Sequence, residues 1–336
     1  MTEDAPRFLI VRLGSLGDVV HAIPSVSALR SVHPSSGIDW IVDPRYVDLL
    51  KLVAGIDRCI PFDPRESWSG LLRAIRDLRR TRYEAAIDLQ GLLKSALLAR
   101  AAGARRTIGF PRAHLREPLA SAFYTETPDP GDGPHVIHKG LALMRALGVS
   151  DGPVAFPLTV PKSSAAAVVT ARLGPDGYAL INPGAAWPNK RWPPERFGAL
   201  ASAIRQRRRL RSLVLWGPGE ESAALAVVNA SRGAAELAPP TSITDLVAIA
   251  KGASLMVSGD TGPLHIGAAV GTPIVALFGP TSAERNGPWA ATDIVLSRND
   301  RCVCHYERHC RRGEPCIDDI SVDEVMAAVE RRVAAP

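Results

Sequence analysis

Arg7-Phe-Leu-Ile-Val-Arg-Leu13 runs straight into Gly14-Ser-Leu-Gly-Asp18, and a helical pattern follows to about Ser31. A continuous apolar run with β-branched members reads as a buried strand, the paired glycines as a tight turn, and the spacing beyond them as a helix. Working outward, the unit repeats. Ile38 to Val42 is predicted as a strand, Ser67 to Arg80 as an amphipathic basic helix, Ala85 to Leu89 as a strand and Leu92 to Ala102 as a helix. Strands that alternate with helices imply a parallel sheet wound with right-handed crossovers.

Proline and glycine clusters at Thr127–Pro134 and Asp151–Pro153 surround a predicted helix, His138 to Leu147, and mark a domain boundary near residue 160. A second alternating series follows: strand Tyr178 to Asn182, a helix opening at Pro193-Pro194, strand Ser212 to Trp216, and a helix from Glu220 to Ser231. It continues with helix Ile243 to Lys251, strand Leu255 to Ser258, a short helix Pro263 to Val270 and strand Pro273 to Phe278. The expected fold class is α/β, two Rossmann-like doubly wound domains facing across a cleft, one over residues 1–160 and one over 161–336. The last predicted helix, Ser321 to Val333, opens with Ser321 and Glu324 in a capping-box spacing and can pack back across the first domain. A length of 336 residues suits two domains of about 150 residues each.

Composition, with 46% hydrophobic and 22% charged residues, 28 Gly and 28 Pro, excludes disordered, collagenous and coiled-coil chains. The longest stretch free of charged side chains, Thr261 to Ala283, has 23 residues, enough to span a bilayer. Four glycines and three prolines within it (Gly262, Gly267, Gly271, Gly279, Pro263, Pro273, Pro280) break it into a helix, a turn and a strand. Glu3 and Asp4 precede a short apolar run that Arg12 interrupts, the reverse of a secretory signal, so a cytoplasmic protein is expected.

The net charge of +6 is unevenly spread. From Arg65 to Arg116 twelve Lys or Arg stand against four acids (Glu66, Asp77, Glu84, Asp88), a net of +8. Such an excess suits a polyanionic partner, whether nucleic acid, an anionic membrane surface or a phosphorylated substrate; a solvated helix face is the plain alternative. Of five cysteines, Cys302, Cys304, Cys310 and Cys316 fall within fifteen residues, which in a cytosolic chain favours a metal or free thiols over disulfides. Their C-x-C-x5-C-x5-C spacing departs from the C-x2-C pairs of structural zinc sites, so no metal is assigned to them.

In doubly wound sheets ligands bind at the carboxyl ends of strands, which directs attention to four loops. The first, Gly14 to Asp18, lacks the G-x-G-x-x-G of a dinucleotide site. Asp18 reads either as an N-cap or as a general base that accepts a hydroxyl proton, with Gly17 beside it and His21 on the next turn. In the second, Asn182 to Pro193, Lys190 and Arg191 read as phosphate-binding cations or as surface charge. In the third, Gly217-Pro-Gly-Glu-Glu221, an acid can hold ribose hydroxyls or merely favour the helix dipole. The fourth, Ser258-Gly-Asp-Thr-Gly-Pro-Leu-His265, brings Asp260, Thr261, Gly262 and His265 to a helix N-terminus suited to a diphosphate; a buried structural His265 is the alternative.

Taken together, Gly17-Asp-Val-Val-His-Ala-Ile-Pro24, Lys190-Arg-Trp-Pro193, Ser258 to His265 and Phe278-Gly-Pro-Thr-Ser-Ala-Glu-Arg-Asn-Gly-Pro-Trp289 resemble glycosyltransferase family 9, the lipopolysaccharide heptosyltransferases, over nearly the whole chain. The resemblance implies a GT-B fold, with acceptor on the first domain and nucleotide sugar on the second. It implies inverting transfer of heptose from ADP-heptose to the lipopolysaccharide inner core, on Kdo-lipid A or heptose, with no cofactor and no obligatory metal. By motif, the catalytic base falls on Asp18, the phosphate-binding lysine on Lys190 and the ribose acid on Glu221, or on Glu220 if the loop aligns one residue differently. Donor contacts fall on Asp260, Thr261, Gly262 and His265. Where some relatives carry hydroxyl side chains before the lysine, this chain has Ala185-Ala186. The acceptor would be an acidic glycolipid at the inner face of the inner membrane, met peripherally by the basic segment, with Arg65, Arg112 and Arg116 among its contacts. Three other readings compete. A transferase of the same fold could use another nucleotide sugar for a different surface glycan. A nicotinamide oxidoreductase is disfavoured by the missing glycine fingerprint, and a basic nucleic-acid-binding protein would leave the second domain without a purpose.

Overall fold

The computed structural model describes residues 5–63, 65, 67–133, 135–150, 152–174, 177–311 and 313–334; Glu3, Asp4, Glu66, Pro134 and Asp151, used above, lie outside them. The chain divides into two compact units, Met1–Thr159 and Val160–Pro336.

In the first unit five parallel strands, β1 (Arg7–Val11), β2 (Gly37–Val42), β3 (Arg58–Pro61), β4 (Ala85–Asp88) and β5 (Arg106–Ile108), take the order β3-β2-β1-β4-β5. β1 is central, and Phe8, Leu9, Ile10 and Val11 are all buried, as expected of a strand covered on both faces. Leu9, Val11 and Ile41 pack with Leu71 and Leu78 of helix Trp68–Leu78 and with Leu98 and Ala99 of helix Leu93–Ala101. Helix Leu16–Val32 packs against helix Val136–Met144. The Trp68–Leu78 helix is amphipathic for a visible reason: Leu71 and Leu78 are buried, while Arg73 and Arg76 stand exposed between them. Sequence reading missed β3 and β5. β3 is a four-residue edge strand, Arg-Cys-Ile-Pro, whose Arg58 reaches back to the buried Asp39 of β2 at 2.6 Å.

The second unit holds β6 (Tyr178–Asn182), β7 (Arg211–Val214), β8 (Ala235–Leu237), β9 (Leu255–Gly259), β10 (Ile274–Phe278) and β11 (Ile294–Ser297), all parallel, in the order β11-β10-β9-β6-β7-β8. The charge-free stretch becomes helix Gly262–Ala269, a turn and β10, and among the described residues no helix is long and apolar enough to cross a membrane. In the terminal helix, Val322–Ala334, Val325, Met326, Ala328 and Val329 share a core with Ile181, Val257 and Leu277, so its buried face belongs to this unit. Its capping box is formed, Ser321 N donating to Glu324 Oε2 at 2.8 Å and Glu324 N to Ser321 Oγ at 3.2 Å.

Helices Pro194–Arg208 and Glu221–Ala230 meet at Gly198, where a Cβ would overlap that of Ala230 and lie 2.9 Å from the Val227 carbonyl oxygen. Gly198→Ala should therefore lower stability by about 1–3 kcal/mol in urea unfolding. An unchanged midpoint would mean the two helices part freely.

Each strand order reverses direction at one place, between β1 and β4 in the first sheet and between β6 and β9 in the second. The crevice outside those carboxyl ends is where doubly wound sheets take ligands.

Candidate active site

At the first switch point, helix Leu16–Val32 starts behind Ser15, whose extended backbone makes it the N-cap. Asp18 is therefore not the cap, as one reading of the sequence had it. It is the third helical residue and closes a capping box, its Oδ2 accepting from Ser15 N at 2.9 Å and from Ser15 Oγ at 3.1 Å. Its Oδ1 lies 2.5 Å from Arg12 Nη2, and the side chain is 34% exposed, so the carboxylate is both oriented and reachable. Gly17 is buried in the same turn, and His21 sits one turn on with its ring edge-on to His135, centroids 5.6 Å apart.

The basic segment is partly self-neutralised. Arg106 pairs with Glu126 at 2.6 Å, Arg105 with Glu84 at 3.3 Å and Arg65 with Asp63 at 2.9 Å. Glu126 and Asp63 lie just outside the window that gave +8. Arg73, Arg76, Arg82, Arg100, Arg112 and Arg116 remain exposed.

At the second switch point the ends of β6 and β9 are tied by Asn182, whose Nδ2 donates to Ser258 Oγ at 3.0 Å and Thr261 Oγ1 at 2.8 Å. Thr261 is the N-cap residue of helix Gly262–Ala269, whose first-turn N–H groups carry the positive end of its dipole. Beside it, buried Asp260 accepts from Lys190 Nζ at 2.6 Å and from Thr281 Oγ1 at 2.7 Å, with His265 Nε2 at 3.5 Å from its other oxygen. Burial works to raise the Asp260 pKa, but the His265 hydrogen bond and the Lys190 charge outweigh it and hold the carboxyl well below the ordinary 3.8. Lys190 Nζ also lies 4.5 Å from the centroid of the Trp187 ring.

Lys190 and Arg191, adjacent in sequence, part company here. Arg191 turns back to donate to the Ala185 carbonyl at 2.8 Å and only Lys190 faces Asp260. The two glutamates part likewise. A Cβ on Gly184 would overlap the Glu220 carboxylate, and Glu220 Oε2 accepts from Gly217 N at 3.1 Å, so Glu220 faces the loops that leave β6 and β7. Glu221, the first helical residue, is exposed. Sequence reading gave no role to Asn182, Thr281 or Trp187. The visible signal for Asn182 was a polar residue closing an otherwise apolar strand.

All five cysteines are free thiols. Cys302, Cys304 and Cys316 are buried together with Cys310 at their edge, and among the described residues no three His, Cys, Asp or Glu side chains are arranged to hold a metal. Burial and the neighbouring Cys302 push the Cys316 thiol up to about 12, so it is protonated at neutral pH. This tail braces the site: Asn189 Nδ2 donates to the Glu307 carbonyl at 2.8 Å, and Tyr306 N to the Pro280 carbonyl at 3.2 Å. Gly279 meets Asn189 and Ile317 so closely that a Cβ would crowd both, with Cys316 in ordinary contact beside them.

Comparison with known proteins agrees with this geometry. Residues 71–315 match the model of glycosyltransferase family 9 (heptosyltransferase). Lipopolysaccharide heptosyltransferase 1 of Pseudomonas aeruginosa is 28% identical, over 98% of this chain and 99% of its own. A family 9 glycosyltransferase of Veillonella parvula superimposes with a TM-score of 0.84 at 24% identity, covering 100% of this chain and 99% of the other. The heptosyltransferase WaaC of E. coli, solved with ADP, does so with a TM-score of 0.78 at 26% identity, covering 97% and 99%. The two-unit α/β architecture is thus the GT-B fold that the motifs implied. With the family matched over well over half its length, this chain belongs to glycosyltransferase family 9, the heptosyltransferases, and is a glycosyltransferase.

Proposed function

We propose that the protein transfers heptose from ADP-heptose to the inner core of lipopolysaccharide, on Kdo-lipid A or heptose, with inversion and with Asp18 as the general base. The observation that carries this reading is the Lys190–Asp260 pair set at the N-terminus of helix Gly262–Ala269, at the point where the second sheet reverses. A cation beside helix amides suits a nucleoside diphosphate leaving group. The E. coli relative solved with ADP and the Pseudomonas relative named as a lipopolysaccharide heptosyltransferase point the same way.

In the reaction, Asp18 accepts the proton of an acceptor hydroxyl as its oxygen bonds to the anomeric carbon. The bond from that carbon to the diphosphate breaks, its electron pair leaving on the phosphate oxygen. Lys190 and the first-turn N–H groups stabilise the charge that develops there, without a metal. Glu220, the glutamate that faces the loop, holds the ribose hydroxyls. The exposed arginines of the first unit, Arg112 and Arg116 among them, receive the anionic acceptor at the cytoplasmic face of the inner membrane, where the protein is peripheral.

Calorimetric titration with ADP, ADP-heptose, UDP and NAD tests the donor. ADP and ADP-heptose should bind selectively, and Glu220→Gln should weaken ADP about tenfold while Glu221→Gln leaves it unchanged. Tighter binding of UDP would remove the heptose assignment in favour of another nucleotide sugar and a different surface glycan.

A further inference from the structure

We propose that Arg12 is a positioning residue for this reaction, aiming the Asp18 carboxylate from the switch point of the first sheet. The inference deepens the reading of Asp18 as base and rests on it. Arg12 is the charge that interrupts the apolar run Arg7 to Leu13, and a sheet buried on both faces has no need of it there. Its side chain is only 15% exposed. The guanidinium spans the two strands that flank the reversal: Nη1 donates to the Leu89 carbonyl, just past β4, and Nη2 lies 2.5 Å from Asp18 Oδ1. The backbone behind it is fixed as well. Arg12 N donates to the Ile41 carbonyl at 3.3 Å, its carbonyl accepts from Trp40 Nε1 at 3.0 Å, and Leu13 N donates to Gln90 Oε1 at 2.7 Å.

The planar guanidinium suits this task because it places two donors at a set angle, one on a fixed carbonyl and one on the carboxylate. With Ser15 N and Oγ on Oδ2 and Arg12 Nη2 against Oδ1, both oxygens of Asp18 are located.

The other ionisable groups facing this loop do not replace Arg12. Tyr46, from the turn after β2, is a phenol whose pKa burial raises further. Arg45 is committed to Asp43 at 2.8 Å, and His21, on the next helical turn, lies against His135. Asp88, at the end of β4, is occupied by the N–H groups of Gln90 and Gly91 and by the hydroxyls of Ser95 and Tyr124. Arg12 is thus a cation set directly against Asp18. A neighbouring cation favours the ionised carboxylate, the form able to take a proton.

The test measures kcat against pH, donor KM and thermal melting for the wild type, Arg12→Gln, Arg12→Lys and Asp18→Asn, with ADP-heptose and a Kdo-lipid A acceptor. In Arg12→Gln the acid limb of kcat should move up by about one pH unit, and kcat at neutral pH should fall about ten- to a hundredfold. Donor KM should stay unchanged. Arg12→Lys should return the acid limb to the wild-type position with kcat at least tenfold low, since an ammonium lacks the two-armed geometry. An Arg12→Gln enzyme with a wild-type acid limb would reduce Arg12 to a structural brace and overturn the proposal. If that variant does not fold, Arg12→Lys decides: wild-type kcat overturns it. An active Asp18→Asn enzyme would remove the base reading itself, an outcome separate from an inert Asp18→Asn beside an unshifted Arg12→Gln.

Discussion

Asp18→Asn is expected to lower kcat for heptosyl transfer by about 10²–10⁴-fold, the range contributed by a positioned general base, while ADP binds as tightly as before. The substitution is close to isosteric. The asparagine oxygen can still accept from Ser15 N, so the capping box survives in part and stability should fall by no more than about 1 kcal/mol. What disappears is the charge that Arg12 holds at 2.5 Å and, on the proposed mechanism, the basic oxygen that takes the hydroxyl proton. Donor affinity should be unchanged because the proposed donor contacts, Lys190, Asp260 and Glu220, belong to the second unit. Single-turnover transfer to a Kdo-lipid A acceptor, run beside ADP calorimetry, checks both halves. A variant within a few-fold of wild-type turnover would end the assignment of Asp18 as base.

The second large effect is expected at Lys190. Lys190→Ala should lower kcat/KM for the donor by about 10²–10³-fold, as when one preorganised donor to a developing charge is removed. It should also destabilise the fold, because it leaves Asp260 buried with its main counter-charge gone; breaking such a pair costs about 3–5 kcal/mol. The pH dependence follows from the sign of the Asp260 shift. A carboxyl held below its ordinary 3.8 contributes stability that is present above that pH and lost as the pH falls through its lowered folded-state value. The stability gap between wild type and Lys190→Ala should therefore be full at neutral pH and shrink as the pH falls through the folded-state range of Asp260, which burial without Lys190 shifts upward in the variant. Chemical unfolding at pH 7 and below pH 3 measures it. A gap unchanged between pH 7 and pH 3 would count against the Lys190–Asp260 pair as its source.

Much of the architecture was legible because its central strands are apolar on both faces. Tyr178 to Asn182 was bounded to the residue, and the helix that follows Gly14 to Asp18 was placed correctly. Edge strands escaped: β5 and β8 have three residues each, too few for a period to declare itself, and β11 is only half-buried. In the site, motifs located loops but not the direction of individual side chains. Glu220 and Glu221 are neighbours, yet the helix begins between them, which turns one toward the loop and the other to solvent. Lys190 and Arg191 separate for a similar reason at the end of a short turn, Pro188–Lys190. Contacts such as Arg12 with the Leu89 carbonyl, or Thr281 with Asp260, depend on which strand ends lie side by side, and local pattern does not carry that information.

The clasp of the cysteine-bearing tail on the loops around Lys190 and Thr281 has a consequence for the order of events during synthesis. Every strand of the second sheet leaves the ribosome before Glu307 and Ile317 do, so the sheet can pair while the loops above it still lack their brace. The surface around Lys190 is thus finished late, by a segment that adds no strand of its own. A chain ending near residue 300 would carry all six strands of the second sheet but neither the terminal helix nor the brace on the Lys190 loop.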